Sequence, residues 1–136
     1  AAFLLAQLED MDAIQARRLA AWHRYAAILE PLAHEGAIEL PAIPAYATNN
    51  AHMFFLLCPD LDTRTALLEH LKADGIYAAF HYQALRSSPF FADQAGPDTP
   101  HADRFSHTLV RLPLFAELGE DEAERIAHSV VHFFKR

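Results

Sequence analysis

Two short stretches of the chain hold residue types that could recognise a polar ligand. In Asn49-Asn50-Ala51-His52-Met53-Phe54-Phe55, two amides and an imidazole precede an apolar run. Burying such groups without hydrogen bonds is unfavourable, so they either shape a turn or face a ligand. In Ala79-Phe80-His81-Tyr82-Gln83-Ala84-Leu85-Arg86, an apolar segment opens into a loop that carries His, Tyr, Gln and Arg. Strand ends that feed loops are common places for ligand contacts. An Arg and a Tyr there suit an anionic, hydroxylated ligand such as a nucleotide sugar. The competing reading is a His-Tyr pair that closes a core. The candidate substrate-binding residues are therefore Asn50, His52, His81, Tyr82 and Arg86.

Other chemistries find less support. The chain has nine histidines, and His128 and His132 stand four apart, but no Glu lies between them as in a zincin and no third ligand is evident. Asp60 and Asp62 start no calcium loop. Ser87 and Ser88 lack a nucleophile-elbow pattern, and the four isolated glycines form no phosphate cradle. Lys72 and Lys135 are the only lysines, and both fall on polar helix surfaces, unsuited to a desolvated Schiff-base site. No catalytic residue and no metal ligand is assigned within the chain. The net charge of −7 argues against a partner with a phosphate backbone. Cys58 is the single cysteine, which excludes an internal disulfide and suits a reducing, cytoplasmic compartment. It reads as a small buried hydrophobe. No apolar run approaches the ~20 residues of a membrane helix.

The elements that must position these residues follow from periodicity. Residues 2–32 read as one long helix, with Leu4, Leu8, Met11, Ile14, Leu19, Trp22, Ala26 and Leu29 along one face and Pro31 and Gly36 closing it. At 1.5 Å per residue it would be roughly 40 Å long. It lacks a capping residue at its start, so the chain is expected to begin inside a helix, as a fragment would. A short strand is expected at 37–40, a loop at 41–50 and a buried strand at 51–58. Asp62 or Thr63 would cap a helix to Lys72, ended by Asp74-Gly75. A strand at 76–82, a long loop at 83–100, a helix at 101–108, a strand at 109–114 and a helix at 120–134 complete the order. The expected fold class is α/β, an α+β two-layer sandwich. It has a small antiparallel or mixed sheet of about three main strands, with helices packed on one face.

The segments QLEDMDAIQARRLAAW, IELPAIP, NNAHMFFLL, FHYQAL and LVRLPLF occur in an order and spacing that resemble the DegT/DnrJ/EryC1/StrS sugar aminotransferases. That likeness runs over nearly the whole chain. The resemblance implies that residues 1–136 form the C-terminal small domain of a fold-type I pyridoxal 5'-phosphate enzyme, whose lysine-bearing N-terminal domain precedes residue 1. It further implies a homodimeric parent that transfers an amino group, with glutamate as the expected donor. The acceptor would be a dTDP-4-keto-6-deoxy-hexose, in lipopolysaccharide or surface-antigen biosynthesis. His81 and Tyr82 match the family's His-Tyr pair beside the sugar nucleotide, and Asn50 and His52 match the strand start near it. The family usually continues His-Tyr-x-Pro-Leu-His. Here Ala84 replaces the Pro and Arg86 the last His, which leaves Arg86 for a diphosphate contact. The chain alone is expected to be inactive and to hold no pyridoxal phosphate. Two rivals are a stand-alone binding or regulatory module and a pyridoxal-phosphate sugar dehydratase of the same family.

Overall fold

The computed structural model describes residues 2–91 and 96–136. The expected N-terminal helix is two pieces, α1 at Ala2–Glu9 and α2 at Met11–His34. Asp10 leaves helical geometry, with ψ of 4°, and its amide keeps only a long 3.4 Å bond to the Ala6 carbonyl. Asp is a poor helix former, and no core residue lies nearby to hold it. The first buried side chains come at Ala21 and Trp22, whereas Phe3, Leu4, Leu5, Leu8 and Met11 stand exposed.

α2 runs through Pro31 and stops at His34. A proline removes one helical amide, and the next turn tolerates that loss. The stop is set at Gly36, whose φ of +74° suits a residue without Cβ. There the Ala37 amide reaches back to the Leu32 carbonyl at 2.9 Å. Gly75 repeats the device after α3 (Leu61–Ala73), with the Ile76 amide on the Leu71 carbonyl at 2.8 Å. The start of α3 corrects the sequence reading. Asp60, not Asp62 or Thr63, is its cap, and it accepts the Thr63 amide at 2.7 Å. These bonds hold the Asp60 carboxyl below the usual carboxylate range. Asp60 has extended backbone, as an N-cap requires, so the helix begins two or three residues earlier than expected.

Two strands form the sheet, β1 at Phe54–Leu57 and β2 at Leu109–Leu112, antiparallel with Phe54 opposite Leu112 and Phe55 opposite Arg111. The segments expected as strands at 37–40 and 76–82 each touch the sheet at one bridge. Glu39 pairs with Leu57 and Ala79 with Arg111. Four chain segments thus lie side by side in the order 39, β1, β2, 79, but only the inner pair makes a ladder. The fold class is α/β, with the helices completed by α4 (Pro100–Thr108) and α5 (Glu120–Phe134).

Side chains alternate across the strands. Phe54, Leu56, Val110 and Leu112 enter the core with Leu29 and Leu32 of α2, Leu67 and Leu71 of α3, and Ile126 and Val130 of α5. Trp22 and Tyr25 pack against the Phe54 ring at 5.3 and 5.1 Å. The buried Tyr25 hydroxyl donates to the Pro113 carbonyl at 2.8 Å. Burial first, then the Glu122 charge, pushes its ionisation above that of an ordinary phenol. Cys58 is buried as expected, and burial pushes its thiol up to about 12.

α3 and α5 are clasped by His70, Asp74 and Ser129. The Ser129 hydroxyl donates to Asp74 Oδ2 at 2.6 Å, and His70 Nε2 lies 3.1 Å from the Ser129 carbonyl. Ser, His and Asp meet here without forming a relay. Asp74 faces the same imidazole nitrogen as Ser129, and the serine proton goes to the carboxylate. The hydroxyl is the main reason that the Asp74 carboxyl lies below its usual range. No described helix is long and apolar enough to cross a membrane.

Candidate functional site

The two stretches singled out in the sequence flank β2 at its two ends. The turn at 49–52 is built by its own amides. Asn49 Oδ1 accepts the Ala51 amide at 2.9 Å and lets Ala51 adopt a positive φ of 46° while fully buried. Asn50 Oδ1 takes the His52 amide at 3.3 Å and lies 2.9 Å from His52 Nδ1. An amide oxygen only accepts, so Nδ1 carries the proton and His52 presents Nε2 outward. α2 fixes this turn from outside, Gln15 donating to the Asn50 carbonyl at 2.5 Å and Arg18 to the Ala51 carbonyl at 3.1 Å. Asn50 and His52 therefore act as one oriented unit.

His81 and Tyr82 form the second unit. Their rings lie 4.6 Å apart, and Tyr82 has a positive φ of 56°. A non-glycine residue pays roughly 1–2 kcal/mol for that conformation, so something must hold it. Ser106 of α4 does so: its hydroxyl donates to the Tyr82 carbonyl at 3.3 Å and accepts the Ala84 amide at 3.1 Å. The Tyr82 ring is left 78% exposed, while His81 Nδ1 is buried with no partner. The exposed Tyr82 ring therefore does not close a core, and its backbone is braced by α4.

Arg86 stands apart from both. It lies in a single 3₁₀ turn, Leu85–Ser87, and Nη1 donates to the Gly96 and Pro97 carbonyls at 2.6 Å each, with Asp98 at 3.6 Å from Nη2. These bonds close the loop across residues 92–95, which lie outside the described residues, as does that part of the loop expected at 83–100. Arg86 thus braces the loop that carries His81 and Tyr82.

The register separates the two units. Continuing it places His52 opposite Leu114 and His81 opposite Leu109, five strand positions apart or roughly 17 Å. Alternation puts Tyr77, Ala79, His81 and Arg111 on the sheet face away from the core. A cavity of about 210 Å³ opens there, lined by His52, Met53, Tyr77, Ala79, Arg111, Leu112, Pro113 and Leu114. Sequence reasoning missed Ser106, Tyr77 and Arg111. Only Arg111 had a visible signal: it is a single cation in the apolar strand Leu109–Leu112.

The chain's two lysines do not fit covalent attachment of pyridoxal phosphate. Lys72 lies exposed on α3, and Lys135, half exposed, pairs with Glu35 at 3.8 Å. Among the described residues, no three His, Cys, Asp or Glu side chains converge as metal ligands.

Residues 1–131 match the family model of the DegT/DnrJ/EryC1/StrS aminotransferase family. Among solved structures, the chain is similar to S. venezuelae DesV in complex with a ketimine intermediate. Identity is 28% and TM-score 0.88, covering 99% of this chain and 36% of that one. TlmJ, an aminotransferase from Streptoalloteichus hindustanus, matches at 22% identity and TM-score 0.84, over 96% of this chain and 34% of that one. NtdA from Bacillus subtilis with bound cofactor PMP matches at 23% identity and TM-score 0.77, over 90% of this chain and 29% of that one. The last two likenesses show a shared fold. The chain spans about a third of the length of these structures.

Proposed function

Because the chain belongs to the DegT/DnrJ/EryC1/StrS aminotransferase family, we propose that it is the C-terminal, substrate-recognising domain of a pyridoxal-phosphate transaminase of nucleotide sugars. The parent enzyme converts a dTDP-4-keto-6-deoxy-hexose to its 4-amino sugar with glutamate as donor, for lipopolysaccharide or another surface antigen. The motifs NNAHMFFLL, FHYQAL and LVRLPLF resemble those of transaminases that form dTDP-4-amino-4,6-dideoxygalactose. The parent works as a cytoplasmic homodimer.

Pyridoxal phosphate, when bound, supplies the electron sink for amino transfer. Its lysine belongs to a part of the parent beyond residues 1–136, because Lys72 and Lys135 are both surface groups. The work of the present residues is recognition. Tyr82 offers an exposed ring and hydroxyl to the sugar, and the His81 imidazole packs beside that ring at 4.6 Å. Asn50 orients His52 at the other end of β2. On this reading the 136-residue chain by itself carries no transaminase activity.

The observation that carries the proposal is the His81–Tyr82 turn held by Ser106. His81→Ala and Tyr82→Ala in the full-length enzyme test it, with steady-state kinetics on a dTDP-4-keto-6-deoxy sugar. Each should raise KM for the sugar nucleotide or lower kcat by about tenfold or more, while the melting temperature moves by a few degrees at most. Unchanged kinetics in a folded variant would remove the pair from the substrate site.

A further inference from the structure

We infer that Arg64 of α3 is a positioning residue for sugar-nucleotide recognition. It touches no substrate. Through the ring of Phe80 it braces the His81–Tyr82 turn from the α3 side, while Ser106 braces it from α4. This role rests on the reading of the turn as the element that meets the sugar.

The turn has little backbone support where it leaves the sheet. Ala79 ties the edge segment to β2, with bonds of 2.7 and 3.1 Å to Arg111. Past that bridge, among the described residues, the amides of Phe80, His81 and Tyr82 make no hydrogen bond. Ser106 takes hold at the Tyr82 carbonyl and the Ala84 amide. Phe80 and His81 thus lie between the last sheet bond and the first bond to α4, directly before a Tyr82 held at positive φ. A span of that kind opens locally unless side chains fix it.

Arg64 supplies such a contact. With Leu67, Leu68 and Leu71 at i+3, i+4 and i+7, it prolongs by one turn the stripe that α3 lays against the core. Alternation puts Phe80 on the face opposite Ala79 and His81, which is the face the helices cover. The two side chains meet there. The Arg64 guanidinium carbon lies 5.3 Å from the Phe80 ring centroid, inside the ~6 Å reach of a cation–π contact. Arg64 is partly buried and its Nε is shielded from water, so its stem has little freedom. Arg24, Arg86, Arg104 and Arg125 each face a carboxylate, but among the described residues Arg64 has no ion pair. The Asp60 carboxylate, one turn back, is taken by the Thr63 amide. The ring is therefore the group that answers the Arg64 charge. Because α4 packs on α3, one helix pair grips the turn twice, before His81 through Phe80 and after it through Ser106.

Arg64→Met, which removes the charge and keeps a stem, and Arg64→Lys, which keeps a cation, test this in the full-length enzyme. The readouts are hydrogen exchange over residues 80–87 by mass spectrometry, and kinetics with a dTDP-4-keto-6-deoxy sugar. Arg64→Met should speed that exchange and raise KM for the sugar nucleotide, each by about two- to fivefold, as loss of a partly exposed cation–π contact would. The half-reaction with glutamate should stay unchanged, and Arg64→Lys should lie nearer to wild type than Arg64→Met. In a Phe80→Leu background Arg64→Met should add nothing to either readout, because its route is gone. Phe80→Leu alone, at a half-exposed position, should reproduce both effects and carries the test if Arg64→Met fails to fold. Unchanged exchange over 80–87, equal effects of Met and Lys, additive effects in the double variant, or an equal loss in the glutamate half-reaction would overturn the proposal. If His81→Ala and Tyr82→Ala raise KM while Arg64→Met does not, this inference alone falls. If none of the three alters KM, the sugar-site reading falls and this inference with it.

Discussion

Replacing Ser106 by alanine should loosen the His81–Tyr82 turn without unfolding the protein. The Ser106 hydroxyl makes two bonds, one to the Tyr82 carbonyl and one from the Ala84 amide. Each such bond contributes a net ~0.5–1.5 kcal/mol. The strain of the positive φ at Tyr82 is the same in both proteins and cancels, so the closed turn should lose about 1–3 kcal/mol against its open alternatives. That is roughly a 5–150-fold change in a local equilibrium. Hydrogen exchange of the Ala84 amide reads it directly, since that amide is the donor in question. It should exchange roughly 5–150 times faster in the variant, while amides of α5 keep their protection. Ser106 lies outside the core cluster, so the melting temperature should fall by no more than about 3 °C. An unchanged Ala84 exchange rate in the folded variant would refute the idea that Ser106 holds the turn.

Other expectations follow from the core and the clasp. Tyr25→Phe removes the bond to the Pro113 carbonyl and leaves that acceptor buried. It should destabilise the protein by ~1–2 kcal/mol, or about 3–7 °C in melting temperature, read by thermal unfolding. In the wild type, spectrophotometric titration should find the Tyr25 phenol still protonated at pH 11. The Asp74 carboxyl is held below its ordinary value by Ser129. Its stabilisation is therefore full above the unfolded value of about 3.9 and is lost as pH falls through the lower folded one. Urea unfolding across pH should show Asp74→Asn weaker than wild type at pH 6 and the two converging near pH 2. A gap that persists at pH 2 would contradict this linkage.

Much of the scaffold was legible from the chain itself. The apolar run before Pro59 predicts β1, the Asp74-Gly75 pair predicts the stop of α3, and the period of Ile126, Val130, Phe133 and Phe134 predicts α5. These features are local, and local signals survive folding. The segment 76–82 has the right residues for a strand but sits at an edge and makes one bridge, because Tyr82 turns the chain away. The cap moved to Asp60 because Pro59 ends the strand just before it, a choice made by β1 rather than by the helix. The site was legible as two units but not as a layout. The distance between Asn50–His52 and His81–Tyr82 depends on which residues of β2 lie opposite each, and no pattern within either stretch reports that register. Ser106 was invisible for the same reason: its partners lie 22 and 24 residues away.

The edge contact at Ala79 has a consequence for how this surface changes over generations. Two backbone hydrogen bonds tie the segment from Tyr77 onward to the sheet, and most of its side chains point to solvent. Sequence drift between Tyr77 and Phe91 is thereby insulated from the buried layer beneath it. New ligand preferences could be tried out there one residue at a time, or by transplanting the whole segment from a relative, with the foundation undisturbed.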